Sequence, residues 1–137
     1  MSYGMAAALQ EALYQRLAGD DGLAALVGAA IFDAVPSGTP PGTFVLIGPE
    51  EVRERSDRTG GGAEHRLVVS VVTDAQGFLV AKQAAARVSD VLDGADLALA
   101  RGRLVGLWFD RAEARQLEQG TVRRIDLRFR ARVEDDI

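Results

Sequence analysis

Residues 43–75, TFVLIGPEEVRERSDRTGGGAEHRLVVSVVTDA, contain the pattern on which the fold of this 137-residue chain depends. Two apolar runs, Phe44–Ile47 and Leu67–Val72, have the composition of core strands. The segment between them is charged and glycine-rich and cannot bury itself, so we predict a protruding polar loop at about residues 50–64. A long polar loop held at both ends by a sheet is usually either functional or disordered.

The sequence before this stretch predicts two helices and a short strand. The first helix should run from about Met5 to Leu17, because leucines recur there at helical spacing. A second, short helix should follow Asp20 or Asp21 as its cap. Its inward-facing residues are predicted to be Leu23, Leu26 and Val27. A strand at Ile31–Val35 should end at the turn-rich residues 36–42.

The sequence after this stretch predicts a helix and two long strands. Phe78–Leu92 has an alanine-rich apolar stripe, with Gly94 as a C-cap, and Gln119–Gly120 marks the turn between strands that begin at Leu104 and end near residue 134. The last strand alternates, and its apolar face would consist of Ile125, Leu127, Phe129, Ala131 and Val133. Its polar face would consist of Arg124, Asp126, Arg128, Arg130, Arg132 and Glu134.

These elements predict a single α+β domain over residues 1–137. The order is α-α-β-β-β-α-β-β, with a mostly antiparallel sheet and helices packed on one face. The strand at Leu67–Val72 is apolar on both faces and should therefore be central.

Composition narrows the class of protein. A hydrophobic fraction of 47% with 26% charged residues is typical of a globular chain, and the absence of cysteine excludes disulfides and thiolate metal sites. A net charge of −4 argues against a general nucleic-acid binder. The N-terminus lacks the pattern of a signal peptide and no stretch is long and apolar enough to span a membrane, so we expect a soluble protein made in the cytoplasm.

No catalytic or cofactor site can be assembled from the sequence. His65 is the only histidine, and none of the candidate nucleophiles, Ser56, Ser70 and Ser89, lies in a GxSxG-type turn. We expect His65 to be a surface residue. The carboxylates Asp90, Asp93 and Asp96 straddle a helix end, and Glu50-Glu51 lie in the charged loop with nothing to desolvate them. The glycines at 60–62 lack phosphate-loop spacing. From these observations together we predict no catalytic residue, metal or cofactor.

The arginines offer three interpretations. Nine of the fifteen fall between Arg101 and Arg132, and four of them line one face of the last strand. That face could simply be solvated. It could instead form an intersubunit contact, because guanidinium groups pair bidentately with carboxylates; the acidic residues available on a neighbouring copy would be Glu50, Glu51, Glu54 and Asp57. A nucleic-acid surface is the third option, but aromatic residues for base stacking are missing there.

Five segments in a fixed order resemble the phage tail-completion family. They are IFDAVPSGTPPGTFVLIG (31–48), TGGGAEHRLVVSVVT (59–73), AKQAAARVSDVLDG (81–94), LVGLWF (104–109) and TVRRIDLRFRARVE (121–134). The family comprises tail-terminator proteins of long-tailed phages and of phage-derived gene transfer agents. The similarity covers about residues 5–134, and its motifs are structural rather than catalytic.

The resemblance implies a homohexameric ring that caps the finished tail tube and stops its polymerisation. Its partners would be further copies of itself, the tail tube protein and a head-side connector or stopper, with DNA passing through the lumen without specific binding. Assembly would take place in the bacterial cytoplasm before the protein joins the tail of a particle. Candidate subunit or tube contacts are Arg53, Arg55, Asp57, Arg58, Glu64, Arg124, Arg128, Arg130 and Arg132.

Two alternatives remain open at this point. One is another ring component, such as a head–tail connector or stopper, and the other is a small α+β ligand-binding domain or enzyme. An enzyme would need a pocket with convergent polar groups, which the sequence does not indicate. Replacing His65 with Ala should cripple an enzyme that uses the only imidazole but leave an assembly protein working.

Overall fold

The computed structural model describes residues 3–34, 38, 42–56 and 61–136. Its helices are α1 (Ala6–Ala18), α2 (Asp21–Val27) and α3 (Leu79–Leu92). Its strands are β1 (Ile31–Phe32), β2 (Thr43–Glu54), β3 (Gly62–Thr73), β4 (Arg103–Leu117) and β5 (Val122–Glu134), with a short 3-10 turn, Glu118–Gly120, between the last two. The predicted α+β class is confirmed.

The strands form one sheet in the order β1-β2-β3-β5-β4. β1 runs parallel to β2, and the other neighbours are antiparallel. β3 is central, as its two apolar faces predict. β4 is an edge strand of 15 residues, most of which are exposed. Two of its backbone groups, the Leu107 carbonyl and the Phe109 N–H, bond to Gly94 and Asp93 within the chain.

All three helices cover the same face of the sheet. Met5, Leu9 and Leu13 from the first helical segment pack with the apolar sides of β3 and β5 in one core cluster. The alanines of α3 let its backbone approach the sheet closely. The predicted apolar face of β5 is confirmed, because each of its members is buried: Ile125, Leu127, Phe129, Ala131 and Val133.

The strands on either side of the predicted loop are longer than their apolar runs. After a bulge that follows Ile47, residues Glu50–Glu54 pair with Ala63–Leu67 of β3. The prediction of a loop at residues 50–64 was therefore wrong at both ends, and the connection is confined to residues 55–61. Charged residues can extend a strand because the ladder satisfies their backbone groups while alternate side chains reach solvent.

Two smaller predictions also changed. Leu26 does not face the core: it is 39% exposed, and only Leu23 and Val27 of α2 are buried. The strand predicted at Ile31–Val35 ends at Phe32, and Val35 lies outside the described residues. Within the described ranges, no helix is long and apolar enough to cross a membrane.

Candidate assembly surface

The sheet face opposite the helices is dominated by arginine. Strand register places the polar side of β5 beside Arg66 of β3 and Trp108 and Arg111 of β4. We call this surface the arginine face. Its charged residues are Glu51, Arg53, Glu64, Arg66, Arg103, Arg111, Glu113, Arg115, Arg124, Asp126, Arg128, Arg130, Arg132 and Glu134. Nine arginines against five carboxylates give this face a formal charge of +4, whereas the chain carries −4, so the remainder carries −8.

One end of the arginine face is fixed by a buried network around Asp126. Ser70 donates to its Oδ1 at 2.6 Å and Arg124 donates to the same oxygen at 2.8 Å. Arg115 donates to Oδ2 at 3.1 Å. Burial alone would raise the pKa of Asp126, but the hydrogen bonds from Ser70 and Arg124 outweigh it and lower the pKa. Asp126 therefore joins β3, β5 and β4, and Arg124 is engaged within the chain.

The other end is organised around Glu64, which three arginines approach. Its carboxylate lies 3.4 Å from Arg66, 3.6 Å from Arg130 and 3.7 Å from Arg55. Arg132 donates to the backbone carbonyl of Arg55. The sequence-predicted residues Arg55, Glu64, Arg130 and Arg132 are thus brought together within a single copy. Only 14% of the Glu64 side chain is exposed, so it acts as the local counter-charge.

At the centre of the arginine face, two arginines make no such ion pair. Arg111 of β4 and Arg128 of β5 lie directly opposite each other in the ladder. Neither has a carboxylate within ion-pair distance in the part of the chain that the structure describes. A like-charge pair at this position is unfavourable. Arg128, one of the predicted interface residues, is therefore available to an external anion.

The acidic residues predicted to serve a neighbouring copy have contacts inside the chain. Glu51 accepts from Arg53, which lowers the pKa of Glu51, and Glu54 accepts from Ser56. Glu50 accepts from the Tyr3 hydroxyl and is joined to His65 Nδ1 at 3.1 Å. The predicted interface residues Asp57 and Arg58, of which Asp57 was also a possible acidic partner, lie outside the described residues.

His65 is fully buried, so the prediction of a surface histidine was wrong. The register of β3, which begins at Gly62, places His65 on the side of the sheet that faces the helices. There it pairs with Val52 of β2 and Ala131 of β5. Its Nε2 has no hydrogen-bond partner among the described residues. Ser70 lies on the opposite face of the sheet, so the two do not form a nucleophile–base pair.

The remaining acidic residues that could belong to a site make structural contacts instead. Asp20 caps α2 by accepting from the Leu23 backbone N–H at 2.8 Å and takes two hydrogen bonds from Arg87 at 2.7 Å each. These bonds lower the pKa of Asp20 to about 2. Asp93 accepts from the Phe109 backbone N–H at 2.9 Å. No cluster of three or more potential metal ligands occurs within the described ranges.

Sequence reasoning missed every member of the arginine face on β4 and one on β3: Arg103, Trp108, Arg111, Glu113 and Arg115, and Arg66. Arg66, Trp108 and Arg111 lie on strands other than β5, and only the pairing of β3 and β4 with β5 places them on one surface. Trp108 is 42% exposed, lies across Gly106 and has the Arg130 guanidinium 5.8 Å from its ring centroid. The sequence signal that could have identified the β4 members is the alternation of side chains along that strand. A bulge between Phe109 and Arg111 interrupts this alternation.

Comparisons with known proteins place this architecture among tail proteins. The family model of tail completion protein gp17 matches residues 11–134. A chain in a solved structure, the virion of a native gene transfer agent particle, has 63% sequence identity and a TM-score of 0.92; the match covers 97% of this chain and 99% of that chain. A search of curated proteins gave no significant match. The family match includes the whole arginine face.

Proposed function

Because the chain belongs to the family of tail completion protein gp17, we propose that it forms a homohexameric ring on the finished end of a tail tube. The ring stops the addition of tube subunits, and its far side joins the head-side connector or stopper. The presence of a 63% identical chain in a gene transfer agent virion supports a structural role in the tail of such a particle. Assembly takes place in the bacterial cytoplasm.

The observation that carries the ring is the arginine face, which one copy leaves open. A closed ring needs two different complementary patches on each copy, so that rotation brings one against the other. The arginine face carries +4 and the rest of the chain −8, so the net negative charge of each copy lies outside the arginine face. Exposed Trp108 adds a large, rigid group of the kind that is enriched at interfaces.

The capping role requires only shape and contact. A ring seated on the last layer of tube subunits occupies the surface on which the next layer would assemble. DNA passes through the lumen, and the net charge of −4 favours sliding over binding. The connection at residues 55–61, together with Arg53, is the proposed tube or subunit contact.

A tube-growth assay tests this proposal. Purified tail tube protein is polymerised with and without the chain, and tube lengths are measured by electron microscopy. We expect growth to stop when the chain is added, with one tube end closed by a ring. Tubes that continue to elongate in its presence would contradict the capping role. Imaging the protein in a whole particle distinguishes a cap on the tube from a connector or stopper ring nearer the head.

A further inference from the structure

Resting on the proposed ring, we infer that the centre of the arginine face binds carboxylates on the helix side of a second copy. Arg66, Arg111 and Arg128 would be the binding residues, and Glu11 and Asp96 of the next copy would supply the carboxylates. None of these five residues belongs to the buried core.

The first step in the argument is a cleft at the middle of the arginine face. β2 has a bulge after Ile47 and β4 has one after Phe109, and between them lies a concavity of about 430 Å³. Arg66, Arg111 and Arg128 line it, and Val68 contributes an apolar part of its wall. The concavity is large enough for a few inserted side chains.

The second step is the charge balance inside this cleft. Arg111 and Arg128 face each other across β4 and β5 with no ion pair to any described carboxylate. Like charges at directly opposite positions repel, and an inserted anion removes this repulsion. The carboxylates of Glu50, Glu51 and Asp110 also line the cleft, but no described carboxylate lies within ion-pair distance of these two guanidinium groups, which leaves both open to a further ligand.

The third step is that the anion is a protein carboxylate. The cleft already has three carboxylates in its lining, those of Glu50, Glu51 and Asp110. Asp126 and Glu134 interrupt the arginines along β5, and Glu64 lies beside them on β3. A continuous phosphate backbone would meet these carboxylates at several points, whereas one or two inserted carboxylates need not. Arginine forks also match carboxylates bidentately.

The fourth step is the source of the carboxylate. The helix side of the chain has a groove of about 380 Å³ between α1 and residues 96–100. Exposed Glu11 and Asp96 line it together with Gln15 and one arginine, Arg16, and its walls are otherwise rich in alanine. Small walls permit close approach of a flat surface that carries exposed Trp108. The two carboxylates outnumber the one arginine of the groove, so its charge is opposite in sign to that of the arginine face.

A charge-swap mixture provides the test. One variant carries Arg111→Glu and Arg128→Glu, the other Glu11→Arg and Asp96→Arg. In a head-to-tail contact, each variant brings like charges together and should remain monomeric by size-exclusion chromatography with light scattering. Mixed, the two variants present opposite charges at every contact, so rings of alternating copies should be restored.

Association of each variant alone should weaken by about a hundredfold or more, because charge-pair truncation at an interface has effects of this size. Lys82→Glu on α3 is the matched control for Arg128→Glu, since it makes the same charge change away from both surfaces and should not alter association. Circular dichroism and thermal unfolding verify that every variant is folded.

The outcomes separate the inference from the proposed function. A wild-type chain that stays monomeric with and without tube protein would overturn both. If the wild type forms rings and Arg111→Glu/Arg128→Glu does too, or if mixing restores nothing, the inference fails while the ring stands. Binding of random-sequence duplex DNA at low salt that is lost in Arg111→Glu/Arg128→Glu, with association unchanged, would assign the arginine face to DNA instead.

Discussion

The two faces of strand β5 differ in composition and in their proposed role. The helix-facing side chains, from Ile125 to Val133, are at most 5% exposed and form the core. The opposite side carries four arginines and two carboxylates. Its Arg128 faces Arg111 of β4, and neither has an ion pair with a described carboxylate. One face therefore stabilises the monomer, and the other is the surface that we propose for contact with another copy.

The largest expected effect separates neighbouring residues of β5. Phe129 is fully buried and packs edge-on to Phe109 at 5.9 Å, so Phe129→Ala should lower the free energy of unfolding by about 3–5 kcal/mol through a core cavity. Arg128→Ala, one position earlier, should change it by no more than about 0.5 kcal/mol. Urea unfolding of both variants measures the difference. Equal losses of unfolding free energy would mean that both faces of β5 contribute equally to the stability of the monomer.

The next effect concerns His65, on the buried face. His65→Ala should destabilise the chain by about 2–4 kcal/mol, because it opens a cavity and removes the partner of Glu50. A destabilised variant would lose assembly or enzymatic activity alike. His65→Ala therefore does not distinguish an assembly protein from an enzyme, contrary to the test suggested by the sequence. Thermal unfolding followed by circular dichroism gives the stability. An unchanged melting temperature would show that the buried imidazole contributes no net packing.

A smaller effect tests the helical layer that seals the buried face. Asp20→Ala should cost about 1–2 kcal/mol, because it removes the cap of α2 and the contact with Arg87. Asp20→Asn is the matched control, since asparagine keeps the capping oxygen and loses the charge. Unfolding by urea at pH 7 compares them. A larger loss in the asparagine variant than in the alanine variant would contradict the capping argument.

The same residue gives a pH dependence. The folded-state pKa of Asp20 is about 2, below its ordinary value of 3.8, so its stabilising contribution is complete above about pH 4 and is lost as the pH falls towards 2. The loss of stability between pH 4 and pH 2 should be smaller in Asp20→Asn than in the wild type. Equal losses in both proteins would exclude Asp20 as a source of the acid sensitivity.

The smallest stability effect has the opposite sign and sharpens the contrast between the faces. Arg111→Ala with Arg128→Ala removes the like-charge pair and should raise monomer stability by a few tenths of a kcal/mol, up to about 1 kcal/mol. The same variant should associate less well, because the anion-binding groups are gone. Urea unfolding below the association concentration gives the first quantity and light scattering gives the second. A stability loss would mean that these arginines support the monomer.

The sequence predicted the buried face better than the arginine face. Alternation along β5 identified both of its sides, and leucine spacing placed α1 to within one residue at each end. The pairing of β3 and β4 with β5 was not readable, so Arg66 and Arg111 were missed. Long-range register depends on bulges, and the bulge after Phe109 shifts the alternation of β4 by one residue.

The charged ends of β2 and β3 show a second limit of prediction from the sequence. Glu50 and His65 have a polar composition that suggests a loop, yet each occupies a strand, and Tyr3 from the N-terminal segment closes over Glu50. Only the assembled fold brings residues 47 positions apart together in this way. The ordered motifs, by contrast, identified the family correctly, because their order along the chain does not depend on knowing the strand register.

The mass of the chain in solution tests the division between the two faces most directly. Light scattering should be measured on the wild type and on Arg111→Glu/Arg128→Glu at the same concentration and salt, in the presence of tail tube protein if the wild type alone is monomeric. We predict a wild-type assembly of six times the 14.6 kDa chain mass and a folded, monomeric variant with unchanged unfolding. Equal masses for the two proteins would contradict an arginine face arranged for association.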